Sequence, residues 1–203
     1  MEFWNDIATD RSWEVLIRMR REFDFILIGG WACYLLTKAI KSKDIDIIVD
    51  FETLGKLRKN YRLKKTAFLR KYEMVIDETS VDVYVPFYSK FPLPAEEMQK
   101  TIEREGFRIP RPEVLLILKQ NAELERKDSV KGQKDRVDIL SLLLKSGMSM
   151  ESYKELLKKH GLSRYQERLK TIVRESKKEF SYMGIADLRK IRLIRENLLR
   201  QLS

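Results

Sequence analysis

Residues 25 to 50 read Phe-Ile-Leu-Ile-Gly-Gly-Trp-Ala-Cys-Tyr-Leu-Leu-Thr-Lys-Ala-Ile-Lys-Ser-Lys-Asp-Ile-Asp-Ile-Ile-Val-Asp. An apolar run ends in Gly29-Gly30, an apolar-rich stretch follows from Trp31 to Ile40, and a second apolar run carries Asp44 and Asp46. The pattern predicts a strand over 24–28, a glycine turn, a helix over 31–40 and a strand over 44–50. Alternate residues of a strand share a face. Asp44 and Asp46 therefore project to one side, and Ile45, Ile47 and Val49 to the other. Two neighbouring carboxylates repel unless a cation lies between them. Hard oxygen donors of this kind suit Mg²⁺, which keeps its remaining positions for water and substrate phosphates.

Upstream, residues 2–22 read as an amphipathic helix with a narrow stripe of Trp13, Leu16 and Ile17, and with arginines at its end, where cations suit the helix dipole. Downstream, a short helix is expected over 51–60 and a short strand over 61–65. Two strands, 72–76 and 80–85, should be joined by a turn at Asp77-Glu78-Thr79. Residues 87–94 hold two of the five prolines and read as irregular. A helix is expected over 95–105, closed by Gly106. Pro112 suits the first turn of a helix running to about Arg126. Another helix is expected over 132–146, with Val137, Leu140, Leu143 and Leu144 inward and Gly147 at its end. The remainder reads as helices: one from an N-cap at Ser149 to His160, one over 164–180 and one over 185–202. This order predicts an α/β (α+β) fold, with a small mixed sheet flanked by helices and then an all-helical region. The expected domains are 1–105 and 106–203.

A chain of 203 residues with 43% hydrophobic content can bury one sizeable core and a helical appendage. No apolar run is long enough for a membrane span, and the opening residues lack signal-peptide order. A single cysteine excludes an internal disulfide, and a cytoplasmic setting is expected. The formal charge of +10 favours polyanionic partners. From 53 to 72 there are eight basic residues (Lys56, Arg58, Lys59, Arg62, Lys64, Lys65, Arg70, Lys71) and no acid. Such a run with interleaved aromatics tracks a nucleic-acid backbone or forms a solvated face. Residues 151–203 carry 14 Lys and Arg against 7 Asp and Glu, most of the excess charge. The only histidine, His160, precedes a glycine at a helix end and reads as a cap.

Gly29-Gly30, a spacer of thirteen residues, Asp44-Ile45-Asp46-Ile47 and, later, Val81-Asp82-Val83 together resemble the signature of the nucleotidyltransferase superfamily, with its polymerase-β-like fold. Further on, Pro112 to Lys119 and Lys134 to Leu140 are similar to the helical half of its AbiEii-type branch, which includes bacterial toxins. The resemblance covers about residues 23 to 146 and leaves the last helices unmatched. It implies transfer of a nucleoside monophosphate from an NTP to a hydroxyl. It implies two Mg²⁺ ions, or Mn²⁺, on Asp44, Asp46 and Asp82, the same three acids being the catalytic set. Asp82 would complete the second metal site or take the proton. Gly29 and Gly30 would present backbone N–H groups to phosphate at a helix start. Lys119 would neutralise the triphosphate. Asp135 and Asp138 would orient Lys119, touch the acceptor or pair structurally with nearby bases, and Lys43 and Lys134 are supporting candidates. Trp31 stands where small or hydroxyl residues are usual. It either costs a phosphate contact or stacks on the site.

Three functions follow. The first is transfer to RNA such as a tRNA 3′ end, as a toxin with a companion antitoxin, the RNA lying on 56–71 and on the basic C-terminal helices. The second is modification of a small, antibiotic-like molecule. The third is a non-catalytic nucleotide- or RNA-binding module.

Overall fold

The structure, a computed structural model, describes residues 4–68 and 70–203. It divides into two compact units, 4–111 and 112–203. The expected first helix would begin at Glu2, and its first two residues, Glu2 and Phe3, lie outside the described residues.

The first unit opens with α1 (Asp6–Glu22), capped by Asn5, whose side chain accepts from the Ile7 N–H. Its buried side is formed by Ser12, Val15, Leu16 and Met19, with Trp13 half-buried and Ile17 outside that face. Strand β1 (Ile26–Ile28) leads into α2 (Gly29–Thr37), and β2 (Ile45–Ile48) follows. Helix α3 (Phe51–Asn60) starts at Asp50, whose carboxylate accepts from the Thr53 N–H. The last acid of the motif stretch is therefore a helix cap. Strands β3 (Lys64–Thr66), β4 (Lys71–Ile76) and β5 (Thr79–Tyr84) complete a five-stranded sheet of order β1-β2-β5-β4-β3. Strands β2 and β5 run parallel, and the other neighbours are antiparallel. The β4–β5 turn is two residues, Asp77 and Glu78, both at positive φ as a tight hairpin of this hand requires.

Register stacks the core in rows across the sheet. Leu27 faces Ile47, Ile47 faces Val83, and Val83 faces Tyr72; likewise Ile45 faces Val81, and Val81 faces Met74. All seven are buried. Each such side chain contributes roughly 1.5–3 kcal/mol of apolar transfer. A slip by one residue would expose the whole set, so the register is strongly specified.

Residues 95–105 depart from the expected single helix. Helix α4 (Ala95–Gln99) is short, and β6 (Thr101–Arg104) and β7 (Phe107–Pro110) form a separate hairpin. Glu105 and Gly106 both have positive φ, so Gly106 is a hairpin-turn residue rather than a helix end. Phe107 and Ile109 are buried at strand spacing, and Phe107 packs against Trp13 and Phe25. That burial favours the hairpin over continuation of α4 beyond Gln99.

The second unit is helical: α5 (Pro112–Arg126), α6 (Val130–Lys145), α7 (Met150–Lys159), α8 (Ser163–Glu175), α9 (Lys178–Tyr182) and α10 (Leu188–Gln201). In α6 the buried apolar residues are Val137, Ile139, Leu140 and Leu142; Leu143 and Leu144 are only half-buried, a correction to the expected inward set. Ser149 caps α7 and His160 is its C-cap. The expected helix 164–180 is broken at Ser176 and Lys177. Ile191 and Leu198 of α10 are buried, whereas Leu188 is 81% exposed. Among the described residues, no helix is long and apolar enough to cross a membrane.

Candidate functional site

The parity of β2 carries over to its neighbours. Ile28 faces Asp46, Asp46 faces Asp82, Asp82 faces Glu73, and Glu73 faces Lys64. The row crosses all five strands on the side opposite the apolar rows. It sets three carboxylates on three adjacent strands, roughly 4.7–4.9 Å apart in the sheet. Asp44 stands just ahead of β2, two residues before Asp46, and its charge reaches Asp82.

Gly29 adjoins this row. It has a φ of +67°, and a Cβ built on it would overlap the Asp46 carboxylate. Only a residue without a side chain lets the start of α2 lie against Asp46. Ile28, at the N-cap of α2, provides no side-chain cap, so the helix start keeps its attraction for anions. Trp31 is resolved as a core residue. It is 1% exposed, donates to Ser12 Oγ at 3.2 Å, and packs against Trp13 and Tyr34. Lys43 lies over the Trp4 ring at 4.4 Å.

Asp82 is engaged by Lys71, whose ammonium lies 2.6 Å from Asp82 Oδ2 and 3.2 Å from Glu73. Burial pushes the Asp82 carboxyl above the ordinary value; Lys71 pulls the other way, and the charges of Glu73 and Asp44 add to the rise. Burial works against the Lys71 charge, but Asp82 and Glu73 outweigh it and raise its pKa. The two shifts meet in one half-buried pair, the Lys71 ammonium against the Asp82 carboxylate. Lys71 thus differs from the rest of the basic run. Lys56, Arg58, Lys59, Arg62, Lys64, Lys65 and Arg70 are exposed, whereas the Lys71 side chain is only 12% exposed and serves the acids. Arg58 and Lys65 lie over the rings of Tyr72 and Tyr88.

Lys71 and Glu73 were not singled out as site residues from sequence. The alternation Lys71-Tyr72-Glu73-Met74 places both on one strand face, but only the β4–β5 register puts that face beside Asp82. The donor set is hard oxygen, as Mg²⁺ or Mn²⁺ prefers. Among the described residues, no three acidic, histidine or cysteine side chains already surround a single metal position.

In the helical unit, Lys119 is 5% exposed and lies 3.2 Å from Asp135 and 2.7 Å from Asp138. Lys134 shares Asp138 at 2.8 Å, and Arg126 grips Asp135 with two hydrogen bonds. Burial alone would raise the Asp135 carboxyl, but Lys119, Arg126 and Lys134 reverse this and hold it below the ordinary value. Asp138 Oδ1 is buried without a hydrogen-bond partner.

No protein-family model and no curated protein matches the sequence. Solved structures do match. ANT(2″)-Ia in complex with adenylyl-2″-tobramycin is 15% identical at a TM-score of 0.52, over 78% of this chain and 99% of that one. JHP933 from Helicobacter pylori is 17% identical at 0.51, over 97% and 95%. The Megavirus polyadenylate synthase is 18% identical at 0.47, over 70% of this chain; the match spans 32% of that synthase. At these identities the likeness establishes a fold shared with ANT(2″)-Ia and JHP933.

Proposed function

We propose that the chain is a divalent-cation-dependent nucleotidyltransferase, moving a nucleoside monophosphate from an NTP to an acceptor hydroxyl. The observation that carries this reading is the in-register pair Asp46 and Asp82 on parallel β2 and β5, with Gly29 against Asp46. In the reaction, the acceptor oxygen bonds to the α-phosphorus, the α–β bridging bond breaks, and pyrophosphate leaves. Asp44, Asp46 and Asp82 would hold the cations. A bound divalent cation there would neutralise triphosphate charge and lower the pKa of the attacking hydroxyl. Gly29 and Gly30 orient phosphate through the N–H groups at the start of α2. Asp82 accepts the hydroxyl proton or completes the cation site. Lys119, Lys134, Asp135 and Asp138 belong to the helical unit, where they pair with one another.

Seven exposed basic residues of the 56–70 stretch favour RNA as the acceptor. The toxin role and its antitoxin rest on the motif resemblance alone. A second reading, a small cationic acceptor, is favoured by the excess of carboxylates on the site face.

The test is label transfer. Protein, Mg²⁺ and each α-labelled NTP are incubated with total RNA or with an aminoglycoside, beside Asp44→Ala and Asp46→Ala controls. Labelled RNA absent from the controls supports the first reading, and labelled aminoglycoside supports the second. No label in any product, with NTP still bound, leaves a non-catalytic module and overturns the enzyme reading.

A further inference from the structure

Asp82 of β5 lies between two neighbouring strands that present different charges to it. Lys71 rises from β4, and Asp44 and Asp46 belong to the β2 side of β5. Lys71 and Glu73 sit on the same face as Asp82, and the Lys71 ammonium has Asp82 at 2.6 Å and Glu73 at 3.2 Å. Asp46, Asp82 and Glu73 share this face with Lys71 and, on the edge strand, Lys64, and Asp44 stands just ahead of β2. Lys71 holds Asp82, the acid nearest its ammonium.

We infer that Lys71 is an exchangeable counter-cation of the acidic face: a divalent cation takes Asp82 from it, and Lys71 falls back on Glu73. This deepens the proposed function and rests on it. Lys71 is a positioning residue, acting through Asp82. Held toward β4, Asp82 is drawn away from Asp46, its in-register neighbour on β2. Coulomb energy gives the reason for exchange: at equal distance, a doubly charged ion attracts each carboxylate twice as strongly as an ammonium does. Glu73 gives the displaced ammonium an anion within one side-chain rotation, so displacement does not strand a half-buried charge.

The experiment is Mn²⁺ binding to the full chain, followed by electron paramagnetic resonance of free Mn²⁺, without nucleotide. Lys71→Met is expected to bind Mn²⁺ at least about threefold more tightly than the wild type, and Lys71→Gln to change in the same direction. The gain should vanish when Asp82→Asn is added. Unchanged or weaker binding in both lysine variants overturns the inference, as does a gain that persists with Asp82→Asn, which marks a general field effect. Wild-type binding that is lost in Asp46→Asn while Lys71→Met changes nothing overturns the inference alone. Failure of the wild type and both lysine variants to bind Mn²⁺ overturns the metal-dependent reading with it.

Discussion

A methyl group on Gly29 would occupy the space taken by the Asp46 carboxylate. The glycine turn and the acidic strand are thus one feature. The close approach of α2 to Asp46 exists because residue 29 has no side chain, and its φ of +67° is one that L-residues adopt at a cost of about 1–2 kcal/mol. Gly29→Ala is expected to destabilise the first unit by at least that amount and to displace Asp46. Denaturation followed by tryptophan fluorescence would measure the first effect, because Trp4, Trp13 and Trp31 all lie in this unit. Nucleotidyl transfer would measure the second.

Asp44→Asn and Asp46→Asn test the acids without changing their shape. Removing a group one step out from a metal costs roughly 10–100-fold in affinity or activity. On the proposed reading, in which both acids hold the cation, their loss should exceed that in transfer activity, while circular dichroism stays that of the wild type. Activity within threefold of the wild type would remove these two residues from the mechanism.

Asp135 governs an acid-dependent part of the stability of the helical unit. Its carboxyl is held below the ordinary value when folded, so the unfolded chain binds the proton first as pH falls. Its contribution is therefore complete above the ordinary carboxylate range and is lost as pH drops through that range toward the lower folded value. Asp135→Asn leaves Arg126 and Lys119 without their shared acid and should cost about 3–5 kcal/mol at neutral pH. Hydrogen exchange in α5 and α6 would report it, with the difference from the wild type shrinking at pH 3.

Tyr153 and Gln120 form the polar centre of the same unit. The Tyr153 hydroxyl donates to Gln120 Oε1 at 2.7 Å, and Gln120 Nε2 donates to the Tyr165 carbonyl at 2.7 Å. Burial raises the Tyr153 pKa, so the hydroxyl stays protonated and able to donate. Tyr153→Phe leaves a buried amide oxygen without its donor and should cost about 1–3 kcal/mol. Exchange protection in α5 and α7 checks it.

The sequence alone determined the order of apolar strand, helix and acid-bearing strand, although Gly29 and Gly30 open α2 itself rather than forming a separate turn before it. Strand parity sets Asp46 on the face opposite Ile45 and Ile47, whereas Asp44 stands just ahead of the strand. It likewise determined the 51–60 helix and the capping of α7 by Ser149, since both depend on neighbours within a few residues. It misread 95–105, because a short helix and a hairpin compete closely there and the burial of Phe107 against Trp13 and Phe25 decides between them. Trp31 could not be placed until Ser12 and Trp13 of α1 were seen to enclose it. Lys71 read as one of eight bases in a run. Only tertiary structure decided that it serves Asp82 and Glu73, because the pairing of β4 with β5 sets which residues of two strands share a face. Local spacing specifies each strand's own alternation, but not the register that joins one strand to the next.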